Sequence, residues 1–236
     1  MRISDIINHL ETIAPPALQE SYDNSGLLVG SKDAEVSKAL ISLDCTEEIV
    51  QEAINKGCGL IISHHPIIFG GLKRLNGTNY IERTVIKAIQ NNIALYAIHT
   101  NLDNVLRNGV NSKIAGKLGL ENVRILSPKS DVVFKLVTFC RAEQADKVRE
   151  ALFNVGAGVI GDYDQCSYSG EGFGTFRAGE GTEPYVGNIG KQHREPEIRI
   201  ETVFPSWLQG RVVGALVQSH PYEEPAYDII ALKNKH

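Results

Sequence analysis

The stretch Leu60-Ile-Ile-Ser-His64-His65-Pro66 is an apolar run that ends in two adjacent histidines and a proline. The run predicts a buried strand, and Pro66 ends it because proline has no backbone N–H to give to a sheet. Neighbouring side chains on an extended backbone point to opposite sides, so His64 and His65 are not expected to bind one ion together. Either each binds a different ion, or one binds while the other packs. The stretch therefore makes a two-metal site the hypothesis for the rest of the chain.

On both sides of this stretch, apolar strand patterns alternate with amphipathic helix patterns through the first half of the chain. Strand patterns occur at 27–30, 38–43, 60–63, 93–98 and 123–126, and helix patterns occur at 4–13, 46–56, 80–91 and 109–118. Alternation of this kind is typical of an α/β fold whose strands are largely parallel. We therefore predict an α/β lobe over residues 1–126.

Five acidic and histidine residues come shortly after predicted strands, at the edge where parallel sheets bind ligands. They are Asp44, His64, His65, His99 and Asp103. His64, His65 and Asp103 form the main candidate metal site, because imidazole suits zinc, iron, nickel or cobalt and a carboxylate can bridge two ions. Paired divalent ions polarise a substrate and supply a hydroxide nucleophile near neutral pH. The alternative for the histidines is a hydrogen-bonded structural pair.

Two further features flank this candidate site. His99 lies four residues before Asp103 and could be a further ligand, a proton carrier or a residue that supports the ligands. We favour an acid/base or supporting role for His99 over direct metal ligation. Asp23 and Asn24 precede the first strand pattern, where a turn stabilised by their side chains is favoured over a position at the rim of the site.

Beyond a linker-like segment at 127–130, the pattern of the chain changes. Strand, helix, strand, strand, helix and strand follow in that order from 131 to 232, which predicts a ferredoxin-like α+β domain. Glycines at 170, 172, 174, 179 and 181 match neither phosphate-binding motif, GxGxxG or GxxxxGK[ST], and we interpret them as hairpin turns. The cluster from His220 to Pro225 could supply ligands, but a rigid turn at a subunit contact is favoured because no cysteine or second histidine accompanies it.

The composition narrows the class of protein. The 236 residues include 42% hydrophobic residues, which suits one large or two ordinary domains. The net charge of −4, without a basic block, argues against nucleic acid as a partner. No apolar stretch approaches the ~20 residues that a membrane-spanning helix requires. Cys45, Cys58, Cys140 and Cys166 lie far apart without a CxxC pair, which favours reduced thiols in a cytoplasmic protein.

Four separated motifs in the first half resemble the YbgI-like family, also called Nif-three-like, whose members include proteins described as GTP cyclohydrolase 1 type 2 homologues. The motifs are Tyr22-Asp-Asn-Ser-Gly-Leu-Leu-Val-Gly30, Ser42-Leu-Asp-Cys-Thr46, Ser63-His-His-Pro66 and His99-Thr-Asn-Leu-Asp103. Three later motifs resemble the domain inserted in longer members, which is similar to the trimeric CutA and PII proteins. They are Gly161-Asp-Tyr-Asp-Gln-Cys166, Gly170-Glu-Gly-Phe-Gly-Thr-Phe176 and His220-Pro-Tyr-Glu-Glu-Pro-Ala-Tyr-Asp228.

This resemblance implies a dinuclear centre of divalent ions such as zinc or iron, with His64, His65 and Asp103 as ligands. It also implies a homo-oligomer, a trimer or hexamer, and GTP cyclohydrolase-like hydrolysis of a small molecule such as a purine nucleotide. Longer members continue into a second α/β lobe that adds a histidine and a glutamate to the site, and we expect that lobe to be absent here. His220 and Glu224 match the insert's own motif and are not assigned those roles. The competing hypothesis is a non-catalytic metal-binding scaffold or regulatory oligomer.

Overall fold

The computed structural model describes residues 1–234, which divide into two compact units between Leu126 and Ser127. Each unit has its own sheet and its own apolar core. The chain is therefore mixed α/β, with a largely parallel sheet in the first unit and an antiparallel sheet in the second. None of the helices formed by residues 1–234 has the length and apolar character needed to cross a membrane.

The sheet of the first unit contains four strands in the order β1-β4-β3-β2. The strands are β1 (Gly26–Val29), β2 (Ala39–Ser42), β3 (Leu60–Ser63) and β4 (Ala94–Ala97). Strands β2, β3 and β4 are parallel, as predicted, while β1 pairs antiparallel with β4 at one edge. The histidine-bearing strand β3 is thus a central strand.

Helices connect and cover these strands. They are α1 (Ile3–Ile13), α2 (Glu47–Lys56), α3 (Tyr80–Gln90), α4 (Thr100–Asp103) and α5 (Val110–Lys117). Helix α2 begins where the Thr46 hydroxyl accepts the Ile49 N–H at 3.3 Å, and it ends at Gly57 in the left-handed conformation with φ 66°. The Asn79 side chain caps α3 in the same way by accepting the Glu82 N–H at 2.9 Å. Local capping signals therefore fix where α2 and α3 start.

Strand β3 is buried on both faces, which explains its uninterrupted apolar sequence. Leu60 and Ile62 pack in a cluster with Ile3 of α1, whereas Ile61 packs on the other side. That other side holds Val50 of α2 and Val85 of α3. Because helices cover both faces, polar chemistry is confined to the ends of the strands.

The predicted strand at 123–126 is wrong, because the structure has no strand there. Leu126 is 98% exposed, so this short apolar run finds no partner strand and no core to pack against. Strand propensity depends on such packing rather than on the backbone alone.

The second unit contains four antiparallel strands in the order β6-β7-β5-β8. The strands are β5 (Val133–Cys140), β6 (Ser167–Arg177), β7 (Gln192–Pro205) and β8 (Tyr227–Leu232), and the helices are α6 (Ala145–Asn154) and α7 (Gln209–Ser219). Side chains of β5 and β7 pack with both helices to form the core. Its fully buried members include Leu136, Val148, Leu152, Phe204 and Leu216.

The interpretation of the glycine cluster as hairpin turns is wrong for three of its members. Gly170, Gly172 and Gly174 lie inside the 11-residue strand β6, whereas Gly179 and Gly181 lie in the loop after it. Glycine weakens a strand and commonly marks a place where another group approaches the backbone closely. The presence of three glycines inside a strand therefore needs a structural explanation.

Candidate metal centre

His64 and His65 stand directly after β3, at the carboxyl end of the parallel strands. The strand ends at Ser63, whose hydroxyl donates to the His65 carbonyl at 2.9 Å and stabilises a turn. The expectation that the two side chains point to opposite sides assumed an extended backbone, and it is wrong. Their ring centroids are 5.0 Å apart. The bend after Ser63 therefore brings the two histidines to the same place.

His99 joins them from the end of the neighbouring strand β4. Its ring centroid lies 5.2 Å from that of His64 and 5.6 Å from that of His65. One nitrogen from each of the three rings lies within 4.8 Å of the others, a spacing at which one metal ion could be held. The structure therefore places His99 as close to the candidate centre as the predicted ligands.

The Nδ1 atom of every ring in this group has a hydrogen-bond partner. Nδ1 of His64 lies 2.9 Å from the Ile98 carbonyl oxygen, and a carbonyl can only accept, so this nitrogen carries the proton. Nδ1 of His65 lies 2.7 Å from Oδ1 of Asp44, and Nδ1 of His99 lies 2.8 Å from Oδ1 of Asp23. In a neutral ring held this way the lone pair is on Nε2, which is the arrangement typical of metal-bound histidine.

Asp23 is the most enclosed carboxylate of the site, with none of its side chain exposed. It accepts hydrogen bonds from the Thr100 hydroxyl, the Thr100 N–H at 3.0 Å and the Ser25 hydroxyl at 2.7 Å. Burial raises the pKa of Asp23, but hydrogen bonds from Thr100, His99, Ser25 and the Asn24 N–H outweigh it and hold the pKa below its ordinary value. Asp23 is therefore a fixed negative charge behind His99.

Asp103 and Asp44 complete the polar surroundings. Asp103 lies in the short helix α4, and its Oδ1 is 3.7 Å from Nε2 of His64. Asp44 follows β2 and holds His65. The structure thus brings together all five residues that the sequence places after strands. Three imidazoles and a nearby carboxylate are a donor set that suits zinc, iron, cobalt or nickel.

Sequence reasoning missed the role of Asp23, which it favoured as a turn residue. The turn exists, because Asp23 accepts the N–H of Asn24 at 2.6 Å and the Ser25 hydroxyl. The same carboxylate also reaches His99 and Thr100, 76 and 77 positions further along the chain. The signal available in the sequence was the polar Asp-Asn-Ser segment directly before a strand. It could not show which distant residue would lie beside it.

The predicted turn at His220 is consistent with its contacts in the second unit. Nε2 of His220 lies 2.9 Å from the Phe139 carbonyl oxygen, and Nδ1 accepts the Tyr222 N–H at 3.1 Å. Both ring nitrogens are therefore occupied by backbone groups. His220 stabilises the fold and offers no nitrogen to a metal.

A comparison with protein-family models matches residues 1–180 to the family described as Duf34/NIF3 (NGG1p interacting factor 3). The chain is also 40% identical over 231 residues to a Halalkalibacterium halodurans protein, covering 98% of this chain and 62% of that one. A Bacillus subtilis protein is 40% identical over 225 residues, covering 95% of this chain and 60% of that one. Both relatives are described as "GTP cyclohydrolase 1 type 2 homolog".

Among solved structures, the chain is similar to a Bacillus cereus protein related to NIF3. The TM-score is 0.84 at 42% sequence identity, over 100% of this chain and 62% of that one. The Staphylococcus aureus protein SA1388 matches with a TM-score of 0.63 at 35% identity, over 61% of its length. This chain therefore spans about three fifths of the length of the relatives that it matches.

Proposed function

The chain belongs to the DUF34/NIF3 family, and we propose that it is a metal-dependent hydrolase resembling the GTP cyclohydrolase 1 type 2 homologues. The observation that carries the proposal is the convergence of His64, His65 and His99 within 4.8 Å at the ends of two neighbouring strands. His99 meets the adjacent pair His64 and His65 from a neighbouring strand, and two of the three polar rings are largely shielded from water, where a bound ion would satisfy their Nε2 atoms.

The donor set supports a centre of one or two divalent transition-metal ions. His64 and His65 are proposed as ligands through Nε2, since their Nδ1 atoms are engaged. Asp103 is proposed as the carboxylate ligand that could bridge two ions, because it lies beside Nε2 of His64. Such ions, when bound, polarise a substrate oxygen and make water a better nucleophile near neutral pH.

His99 is proposed as the proton carrier of the site. Asp23 fixes its tautomer and orientation through Nδ1, which is how a carboxylate prepares a histidine either for proton transfer or for metal binding. The two roles of His99 make different predictions. Loss of a ligand lowers metal content, whereas loss of a proton carrier lowers turnover with the metal retained.

The proposed substrate is a small molecule, with a purine nucleotide such as GTP as the first candidate. The support comes from the description of the relatives as GTP cyclohydrolase 1 type 2 homologues and from the chemistry of the site. The reaction would be hydrolytic opening of the purine ring. The alternative, a non-catalytic metal-binding scaffold or regulatory protein, predicts the same metal content without turnover.

Metal analysis of protein purified without chelator tests the metal centre. We expect up to two transition-metal ions per chain in the wild type, and loss of most of this metal in His64→Ala and Asp103→Ala. His9→Ala is the matched control, because His9 is an exposed histidine of α1 and should keep the full metal content. Metal-free wild-type protein, or equal metal in all three variants, would contradict the proposal.

Turnover is measured separately on metal-loaded protein, with GTP as the probe and a ring-opened product as the readout. His99→Ala should retain the metal and lose activity if His99 carries a proton. Loss of metal in His99→Ala would assign it as a ligand instead. Metal-loaded wild-type protein that produces no ring-opened product would reject the cyclohydrolase activity and leave the metal centre in place.

We also propose that the second unit is a ferredoxin-like domain of the kind found in CutA and PII proteins. Its β-α-β-β-α-β order and its fully antiparallel pairing, with β5 and β7 in the middle, support this assignment. The fold places both helices against one face of the sheet. An experimental structure of residues 131–232 with a different strand order would reject it.

Self-association into a trimer or hexamer is proposed from exposed apolar side chains. Ile41 of the edge strand β2 is 79% exposed and Leu43 is 63% exposed. Exposed apolar residues at a sheet edge commonly mark contact surfaces. Light scattering should give a mass of three or six chains, and a monomer mass at micromolar concentration would reject the proposal. A cytoplasmic location is proposed because the cysteines are all free thiols in the structure.

A further inference from the structure

Three glycines of β6 leave one face of that strand, in the antiparallel sheet of the second unit, without side chains. Gly170, Gly172 and Gly174 alternate along the strand, so they share a face. Each lies opposite a charged residue of β7: Gly170 opposite Arg199, Gly172 opposite Glu197 and Gly174 opposite Glu195. The opposite face carries the apolar side chains that pack under α6 and α7. The face with the glycines is therefore the face of the sheet opposite the helices.

A cavity of about 640 Å³ lies over this face, entirely within the second unit. Its walls are aromatic, and they include Phe139, Phe176, Tyr185 and Tyr222. The volume falls in the range of small-molecule sites, which are mostly apolar and contain a few well-placed polar groups. The glycines thus form the floor of a cleft.

Glu197 is a polar group of the cleft, and its position depends on glycine. A Cβ atom at Gly174 would lie 2.1 Å from Oε2 of Glu197, so a side chain there would displace the carboxylate. Oε1 of Glu197 accepts the Tyr222 hydroxyl at 2.9 Å. His220 in turn holds Tyr222 by accepting its N–H at 3.1 Å. The carboxylate is therefore preorganised by two other segments of the chain, strand β6 and the loop at 220–222.

The charges around the cleft favour a positively charged ligand. The side chain of Glu171 alternates with the glycines onto the other face, so three glutamates remain at the cleft, Glu197, Glu223 and Glu224, against one arginine, Arg199. The Arg199 Nε is itself bonded to Oε1 of Glu201 at 2.8 Å. Aromatic rings attract cations through their faces, and Phe139, Phe176, Tyr185 and Tyr222 supply such rings to the cleft.

We propose that this cleft binds a small organic cation with a flat, apolar body. The cationic group pairs with Glu197, and the body lies over the glycine floor between the aromatic rings. The site is separate in sequence from the histidine cluster, since every lining residue belongs to the second unit. The proposal does not depend on metal binding or on turnover.

Calorimetric titration of the whole chain with thioflavin T, a flat cationic dye, tests the cleft. We expect one dye per chain, and the anionic dye ANS should bind at least tenfold more weakly. Glu197→Gln should weaken thioflavin T binding by about tenfold, because the charged partner is lost while the shape is kept. Glu150→Gln, on the exposed side of α6, is the matched control and should bind as the wild type does.

Gly172→Leu tests the position of the site independently of charge. Gly172 has no atom within 4 Å of an added Cβ, so the new side chain can enter the cleft without straining the strand. We expect loss of thioflavin T binding with an unchanged circular dichroism spectrum. Equal binding in the wild type and either cleft variant would overturn the proposal. A lower oligomeric mass in Gly172→Leu would also overturn it, because the cleft would then be a subunit contact.

Discussion

The two units place their candidate binding groups in different parts of the sheet. In the first unit, the histidines and aspartates lie at the ends of parallel strands whose faces are covered by helices. In the second unit, the cleft lies on the face of an antiparallel sheet that has helices on its other side. The difference follows from the connections, because parallel crossovers cover both faces of a sheet and an α+β arrangement can leave one face open.

The two regions also differ in how their polar groups are held. The Asp23 side chain is fully enclosed and bonded to His99 and Thr100, so this part of the first site is a network shielded from water. Glu197 is half-buried and is positioned by a tyrosine hydroxyl and by the absence of a side chain at Gly174. A shielded network is costly to break, whereas an open cleft tolerates change. Substitutions in the two regions should therefore have unequal effects.

The largest effect is expected for Asp23→Ala in the first unit. Removal of this carboxylate leaves the Thr100 N–H and the Nδ1 proton of His99 without their acceptor in a shielded place. We expect the free energy of unfolding to fall by about 3 kcal/mol. Urea unfolding followed by circular dichroism measures this change, and hydrogen exchange of residues 94–103 should become faster.

Asp33→Ala is the control for this prediction, because Asp33 is an exposed aspartate of the same unit. Its effect should stay within about 0.5 kcal/mol. If the two substitutions cost the same, the hydrogen bonds of Asp23 do not stabilise the unit. The contrast between the shielded network and the open cleft would then fail.

An intermediate effect is expected for Gly174→Ala in the second unit. The added Cβ displaces the Glu197 carboxylate and breaks its hydrogen bond with Tyr222. We expect a loss of about 1 kcal/mol. Trp207 is the single tryptophan of the chain and lies in the second unit, so its fluorescence during urea unfolding reports on this unit.

Gly172→Ala is the matched control, since its Cβ would enter open space. Alanine there should leave the free energy of unfolding unchanged or raise it by up to about 1 kcal/mol, because alanine lowers the conformational entropy of the unfolded chain relative to glycine. Equal losses in both variants would show that strand geometry, and not the position of Glu197, requires glycine.

The smallest effect concerns the titration of Glu201 on β7. Its hydrogen bond with Lys135, at 2.7 Å, together with the nearby charge of Arg199, holds the pKa of this carboxyl below its ordinary value. A lowered folded-state pKa means that Glu201 stabilises the fold above its unfolded-state pKa, at about 4.3, and that this contribution is lost as the pH falls through the folded-state value.

Lys135→Gln should raise the pKa of Glu201 towards its ordinary value, as measured by NMR titration of the side-chain carboxyl. Arg199→Gln should raise it less, because the hydrogen bond from Lys135 makes the larger contribution. A larger change in Arg199→Gln would reverse this ranking. Both changes are expected to be small, since the pair lies at the surface.

Sequence reasoning predicted the order of the main elements in both units and failed at particular places in each. The parallel strands could be predicted because their apolar runs end in polar residues and alternate with capped helices. The glycines of β6 were misinterpreted because glycine signals a turn locally, whereas their role is to make room for Glu197 of another strand. The strand predicted at 123–126 failed because its apolar residues have nothing to pack against.

The sequence by itself determined family membership, through its motifs. It also determined which polar residues stand at the strand ends, because the periodicity of apolar residues and the capping of helices depend on neighbouring residues. Only the tertiary structure decided that His64 and His65 lie side by side, since this depends on where β3 ends. It also decided that Asp23 holds His99 and that Tyr222 holds Glu197. These contacts join residues far apart in the chain, and packing of whole elements, rather than any local pattern, brings them together.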